Sequence, residues 1–316
     1  MSKLKIGTRG SPLALAQAHE VRARLQAAHP TLGQEGAIEI VVIKTTGDMI
    51  QDRPLTAIGG KGLFTKEIEE ALLDGGIDLA VHSMKDVPTE QPAGLEISVI
   101  LPREDPRDAL FSKHGPALTD LPQGAVVGSA SLRRQAQILI IRPDLKVVSI
   151  RGNVQTRLRK LAEGAVDATL LAVAGLNRLG QSDKITGYLS TDAMLPAVAQ
   201  AAIGLETRIG DSATLAYVDT LNCPDSATRV RAERACLREL EGSCRTPIAA
   251  LAELDQSGLR LRTLLAAPDG TAHWTDERRG RPEDAEALGT AAGKALKAQA
   301  GPDFVASLSA TAAQDS

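Results

Sequence analysis

The sequence predicts an α/β fold with largely parallel sheets over its first two thirds and a smaller α+β region after them. Three observations predict it. Short β-branched runs alternate with helix-length segments from Lys3 to Val173. Caps and helix breakers fall at the joints between them. From about Asp225 the alternation stops, and a long helix, two consecutive strand-like runs and a last helix follow.

Lys3–Gly7 reads as a strand, and Ser11-Pro12 then supply a cap and a proline at the first helical position. That helix runs to about His29, with Leu13, Ala16, Val21 and Leu25 among its apolar positions. Ile38–Lys44 is a β-branched strand, Phe64–Leu73 a helix closed by Gly75-Gly76, and Ile77–His82 the next strand. A second unit begins after Pro102. Its strands are Ala125–Val127, Lys146–Ile150 and Ala168–Val173; Ser131 caps one helix, and Asn153 caps another that reaches Ala162. The apolar stretch Leu195–Glu206 returns the chain to the first unit. In the last region a helix over Ala227–Leu240 precedes the Gly242-Ser243-Cys244 loop. Strands at Ile248–Leu254 and Leu259–Ala266 and a helix over Pro282–Ala300 follow. No internal repeat is visible in the sequence.

Composition excludes several function classes. With 316 residues, 43% hydrophobic and 24% charged, the chain is long enough for two or three domains and ordinary for a globular protein. Met1 to Thr8 holds no apolar run of signal-peptide length, and no stretch reaches the roughly 18 apolar residues of a membrane span. The expectation is a cytoplasmic protein without a membrane partner. Cys223, Cys236 and Cys244 are odd in number and have no CxxC spacing, so neither a disulfide framework nor a metal site is expected. Aromatics at 2% and a formal charge of −3 argue against nucleic acid. The charge is uneven, however. Gly128 to Lys160 holds eight basic residues against one acid, Asp144, a net +7 that leaves −10 for the rest.

In open α/β sheets ligands bind beyond the carboxyl ends of the strands, so the residues after each predicted strand are informative. The first strand is followed by Thr8-Arg9-Gly10-Ser11 and the third by Ser83-Met84-Lys85-Asp86. In the second unit come Gly128-Ser129-Ala130-Ser131-Leu132-Arg133-Arg134, then Arg151-Gly152-Asn153 with Arg157 one turn on, then Ala174 to Arg178. Five strand ends deliver arginine or lysine. Cations at helix N-termini oppose the helix dipole, and arginine forks take carboxylates side-on, so a ligand with several carboxylates, spanning two domains, is expected. No GxxxxGK[ST] phosphate loop is present. Asp86 is the one acid in these loops. It is either a salt-bridge partner of Lys85 or a nearby arginine, or a group that stabilises a cationic intermediate. Phe64, after Gly59-Gly60-Lys61-Gly62, either joins the core or packs on a ligand ring. His82 reads as the end of a buried strand with no catalytic role.

These residues resemble the porphobilinogen deaminase (hydroxymethylbilane synthase) family. The resemblance rests on Thr8 to Ala14, Gly59 to Phe64, Val81-His82-Ser83-Met84-Lys85-Asp86-Val87-Pro88, Arg103 to Asp108, Ser131-Leu132-Arg133-Arg134, Arg151-Gly152-Asn153 and Glu241-Gly242-Ser243-Cys244. It covers nearly the whole chain in order. It implies two lobes like those of periplasmic-type binding proteins, at 1–101 with 201–220 and at 102–200, and a third domain at 221–316 that carries the cysteine. It also implies a monomeric transferase that adds four porphobilinogens in turn, each losing ammonia, to a dipyrromethane cofactor, before water releases hydroxymethylbilane.

By the same resemblance Cys244 holds the dipyrromethane through a thioether. Ser83, Lys85, Ser129, Ser131, Arg133, Arg134 and Arg157 bind the cofactor's carboxylates. Arg9, Ser11, Arg151 and Arg178 hold the substrate or growing chain, with Phe64 near a pyrrole ring, and Asp86 is the catalytic acid. No metal is needed. Loss of ammonia leaves an electrophile that is cationic when protonated, and a carboxylate stabilises such a cation. One departure stands out: the family has glycines on both sides of a glutamine where this chain has Ala199-Gln200-Ala201. Two other readings compete, a non-catalytic bilobal binding protein for a polycarboxylate and a nucleic-acid binder using the +7 segment.

Overall fold

The computed structural model describes residues 3–49, 62–242 and 246–307. Among these the chain forms two compact units, one of 3–49, 62–104 and 201–227, the other of 105–200, 228–242 and 246–307.

The first unit is an α/β lobe. Its strands are β1 (Leu4–Arg9), β2 (Ile38–Ile43), β3 (Leu79–Ser83), β4 (Leu95–Ile100) and β10 (Ile203–Arg208), in the order β2-β1-β3-β10-β4. β1 is parallel to β2 and β3, whereas β10 runs antiparallel to β3 and β4. Helices cover both faces. α1 (Pro12–Ala28) presents Ala18, Val21 and Leu25 to a core with Ile6, Val81 and Leu205. α3 (Lys66–Leu73) packs Ile68 and Leu72 on the other side with Ile77 and Ala80. Ser11 caps α1, accepting from the Ala14 amide at 3.3 Å, with Pro12 as its first residue. Between β2 and α3 lies a single turn, α2 (Thr46–Met49). α7 (Ser212–Val218), capped by Asp211, follows β10.

The second unit holds two sheets. Its α/β lobe has β5 (Asp108–Ser112), β6 (Val126–Gly128), β7 (Lys146–Val148), β8 (Ala168–Ala172) and β9 (Gly187–Leu189), in the order β7-β6-β8-β5-β9. β6 is parallel to β7 and β8, and β5 is antiparallel to β8 and β9. This repeats the first lobe strand for strand: three parallel strands with the first in the middle, one antiparallel strand, then a fourth. No sequence repeat announces it, because the antiparallel strand is the last in chain order in one lobe and the first in the other. α4 (Leu132–Ile141), α5 (Val154–Ala162) and α6 (Val173–Arg178) complete the lobe, with Ser131 and Asn153 capping α4 and α5.

The remainder is α8 (Pro224–Glu239), a meander of β11 (Ile248–Asp255), β12 (Gly258–Ala266) and β13 (His273–Gly280), and α9 (Ala285–Ala300). Ala249, Leu264 and Ala266 pack with Ala136 of α4, and the Ala250 amide donates to Pro196 O at 3.2 Å. Two residues beyond the end of α8, Glu241 takes the left-handed region (φ 52°). A Cβ on Gly242 would press on the side-chain ends of Leu237 and Ile248. The expected architecture stands: two α/β lobes and a smaller α+β part. No helix among the described residues is long and apolar enough to cross a membrane.

Candidate active site

In the first lobe the carboxyl ends of β1 and β3 deliver a cleft lined by Arg9, Ala14, Gln17, Phe64, Thr65, Val81, His82, Ser83 and Asp86. Four of the sequence-derived candidates therefore meet there: Arg9, Phe64, Ser83 and Asp86. β3 hands the chain to a one-turn 3-10 segment, Met84–Asp86, which holds Asp86 half-buried. The Met84 amide donates to Ala202 O at 3.0 Å, tying that turn to the strand β10 region. The Arg9 guanidinium lies 4.1 Å from the Phe64 ring centroid and donates from Nε to Asp48 Oδ2 at 3.1 Å. The Ser83 hydroxyl lies between Nε2 and Oε1 of the buried Gln17 amide, at 2.9 and 3.0 Å. The Ser11 hydroxyl accepts from the Ala14 amide as the cap of α1 and can still donate its own proton. His82 is buried and bonded to Glu206 at 3.0 Å, as its place at a strand end implied.

In the second unit Ser129 and Ser131 follow β6, with the Ser131 amide donating to Ser129 Oγ at 3.2 Å. Arg133 and Arg134, in the first turn of α4, are buried at 4% and 6% exposure, and both grip Asp108. Arg133 donates to Asp108 Oδ2 at 2.8 Å and to Leu195 O at 2.6 Å. Arg134 donates to Asp108 Oδ1 at 2.7 Å and to Leu170 O at 2.9 Å. Gln200 adds a third donor to the Asp108 carboxylate at 2.9 Å. Burial alone would raise the Asp108 pKa, but the two guanidiniums outweigh it and hold the carboxyl well below the usual carboxylate range. Burial likewise pulls the Arg133 pKa down against the pull of Asp108.

The terminal nitrogens of both arginines are thus turned inward, and their Nε atoms are buried with no hydrogen-bond partner. Arg157, one turn into α5, is half-buried. Burial, with the charges of Arg134 and Arg151, pushes its pKa down to about 10. Its one hydrogen bond given by the geometry is Nε to Gly152 O at 3.0 Å. Two orphaned buried donors and a guanidinium crowded by like charge suit an incoming carboxylate, so this donor set fits the acidic side chains of a dipyrromethane.

Arg178 is the last residue of α6, at a helix C-terminus. Of the eight basic residues between Gly128 and Lys160, Arg142 pairs with Asp144 at 2.7 Å, and Arg133 and Arg134 share Asp108. Cys244 lies outside the described residues. Of the other cysteines, Cys236 is buried, which with the charges of Asp276 and Glu233 pushes its thiol up to about 12 and leaves it unreactive.

Sequence reasoning missed Asp108, Asp48 and Gln17 as members of the site. Gln17 had a signal: it is the polar member of the stripe Gln17-Val21-Leu25 on the buried face of α1. Asp108 closes the Arg103 to Asp108 segment that carries part of the family resemblance, but nothing in that segment names its partners; Asp48 had no signal, since a lone acid in a turn looks like any surface acid.

Comparison with known proteins identifies the family. The model of the porphobilinogen deaminase dipyromethane cofactor binding domain matches residues 4–216, and that of the porphobilinogen deaminase C-terminal domain matches 227–298. A chloroplastic porphobilinogen deaminase of Oryza sativa subsp. japonica is 58% identical over 312 residues, 98% of this chain and 87% of that protein. Porphobilinogen deaminase of Paracoccus denitrificans is 57% identical over 301 residues, 95% and 96% of the two chains. Among solved structures, an ABC-transporter periplasmic substrate-binding protein from Coxiella burnetii has a TM-score of 0.42 at 16% identity, covering 73% of this chain and 96% of that one. With family models matched in order over most of its length, and relatives above half identity across nearly all of it, this chain belongs to the porphobilinogen deaminase family.

Proposed function

We propose that this chain carries out hydroxymethylbilane synthesis with Asp86 as its catalytic carboxylate, in the cleft shared with Arg9, Phe64 and Ser83. The observation that carries this reading is the company Asp86 keeps. Among the described residues it is the one carboxylate lining a cleft whose other polar walls are the Arg9 guanidinium, the Gln17 amide, the Thr65 and Ser83 hydroxyls and the His82 ring. A carboxylate so placed holds a proton for the departing ammonia and stabilises the cation left behind, while Arg9 takes a substrate carboxylate and Phe64 faces the pyrrole.

The dipyrromethane, when bound, supplies the primer to which four porphobilinogens are joined. Cys244 is the attachment point that the family resemblance implies, and the buried Cys236, its thiol pushed up to about 12, is unsuited to that role. Ser83, Lys85, Ser129, Ser131, Arg133, Arg134 and Arg157 hold the cofactor's carboxylates; Arg133 and Arg134 bring to this a buried Nε–H each that has no hydrogen-bond partner in the structure. Ser11, Arg151 and Arg178 complete the substrate side. The protein works as a cytoplasmic monomer on a small molecule, without nucleic acid, membrane or metal. A non-catalytic binding protein is not favoured by the family match.

The test is Asp86→Ala. Product formation from porphobilinogen falls by at least about a thousandfold, the scale of losing a stabilising group aimed at developing charge, while the melting temperature stays within a few degrees of the parent. Turnover near the parent rate would remove Asp86 from the chemistry.

A further inference from the structure

Thr45 and the single turn α2 close around Arg9 in a way that neither the family match nor the sequence motifs assign. Thr45, Thr46, Gly47 and Asp48 make up this segment, and it is braced from several sides. The Thr46 amide donates to Glu67 Oε1 of α3 at 2.9 Å, with the Thr46 hydroxyl donating to the same oxygen. The Gly47 amide donates to Leu63 O at 2.8 Å. Gly47 lies flat against Phe64: a Cβ there would collide with the ring and with the Leu63 carbonyl. Thr45 Oγ1 donates to Asp48 Oδ2 at 2.8 Å. Asp48 then takes the Arg9 fork side-on, Nε at 3.1 Å to Oδ2 and the second terminal nitrogen to Oδ1. Arg9 and Asp48 keep side-chain exposures of 22% and 29%, so the pair is only partly screened by water. Partial burial would raise the Asp48 pKa, but Arg9 and Thr45 bring it below the ordinary value, so the carboxylate is charged at neutral pH.

We infer that Asp48 is a positioning residue for porphobilinogen binding: it holds the side of the Arg9 guanidinium so that the remaining terminal nitrogen is offered end-on to a substrate carboxylate. The inference rests on the reading of Arg9 as a substrate-binding residue. The Phe64 ring covers one face of the guanidinium and Asp48 fills one edge, so the plane of the fork is fixed before substrate arrives. Bracing by Glu67, Leu63 and Phe64 makes the turn a rigid mount, and pre-orientation lowers the ordering cost of binding without touching the chemical step.

The test compares steady-state kinetics of holoenzyme carrying Asp48→Asn, Arg9→Gln and both. Asn keeps the size and one acceptor but removes the charge. Asp48→Asn is expected to raise KM for porphobilinogen about tenfold, equivalent to loss of one oriented charged contact, with kcat within about twofold of the parent. Arg9→Gln raises KM at least as much, and the double variant is no worse than Arg9→Gln, because Asp48 acts through Arg9. If Arg9→Gln raises KM and Asp48→Asn leaves it unchanged, the positioning role is overturned and the Arg9 assignment survives. A lowered KM in Asp48→Asn also overturns it, since Asp48 would then compete with substrate. If Arg9→Gln leaves KM unchanged, the Arg9 assignment itself fails. A melting temperature lowered in Asp48→Asn with both kinetic constants intact would mark a merely structural contact.

Discussion

Two guanidiniums and one carboxylate share a site from which water is excluded, and the balance among them decides what Arg133 and Arg134 can do. Asp108 supplies one negative charge to two positive ones, so the cluster keeps a net positive charge and two unpaired Nε donors. Replacing Asp108 by Asn leaves two buried cations without a counter-charge, a change of about 3–5 kcal/mol in comparable buried pairs. The expected result for Asp108→Asn is a lower melting temperature together with poor cofactor loading; full loading at unchanged stability would contradict the geometry. The sign of the pH dependence follows from the depressed Asp108 pKa. Its contribution to stability is fully present above the ordinary carboxyl value near about 4. It is lost as pH falls through the lower folded value. Thermal melts of the parent should therefore lose an increment in strong acid that Asp108→Asn does not have to lose. None of this could be read from residue order: Asp108 lies 25 residues before Arg133, and its role appears only when β5 is placed beside β8.

At the scale of elements, the segment from Pro196 to Ala202 shows most clearly what this sequence does differently. Ala199 and Ala201 have φ of 56° and 76°, and both are buried. The backbone keeps the left-handed turns that glycines would take freely and accepts alanine there, at about 1–2 kcal/mol per residue. The groups around the loop hold it in this conformation. The Ala199 amide donates to the buried Glu233 carboxylate at 2.6 Å, and Gln200 donates to Pro106 O at 2.7 Å. Relief of that strain exceeds the entropy a glycine adds to the unfolded chain, about 0.5–1 kcal/mol. Ala199→Gly and Ala201→Gly should each raise the melting temperature without loss of cofactor; a lower one would show that the methyl packing outweighs the strain.

The elements the sequence failed to show are instructive as well. β13, His273–Gly280, is an edge strand of alternating exposure in which Arg278 pairs with Asp276 at 2.8 Å and Glu277 with Arg260 of β12, also at 2.8 Å. Charged edges discourage pairing with other chains but erase the hydrophobic alternation by which a strand is recognised. β5 and β9 escaped notice because one opens with an acid and the other has three residues. By contrast, the capped helices α1, α4 and α5 began at the residues their caps indicated, since Ser11, Ser131 and Asn153 each bond the backbone of the first turn. α3 begins at Lys66, after Thr65, and Phe64 is thereby freed to lie under Arg9.

For the whole molecule the central claim is that a chain with this fold and these strand-end residues builds a tetrapyrrole on a covalently held primer. The two α/β lobes share one strand order, and the strand ends of both carry the arginines and serines. The C-terminal part carries the cysteine. The most direct measurement is the intact mass of the purified protein beside its Cys244→Ser variant and a Cys236→Ser control. The account predicts an excess mass equal to one dipyrromethane on the parent and on the Cys236→Ser protein, and none on Cys244→Ser. A parent that carries no adduct after incubation with porphobilinogen, or an adduct that persists in Cys244→Ser, would contradict it.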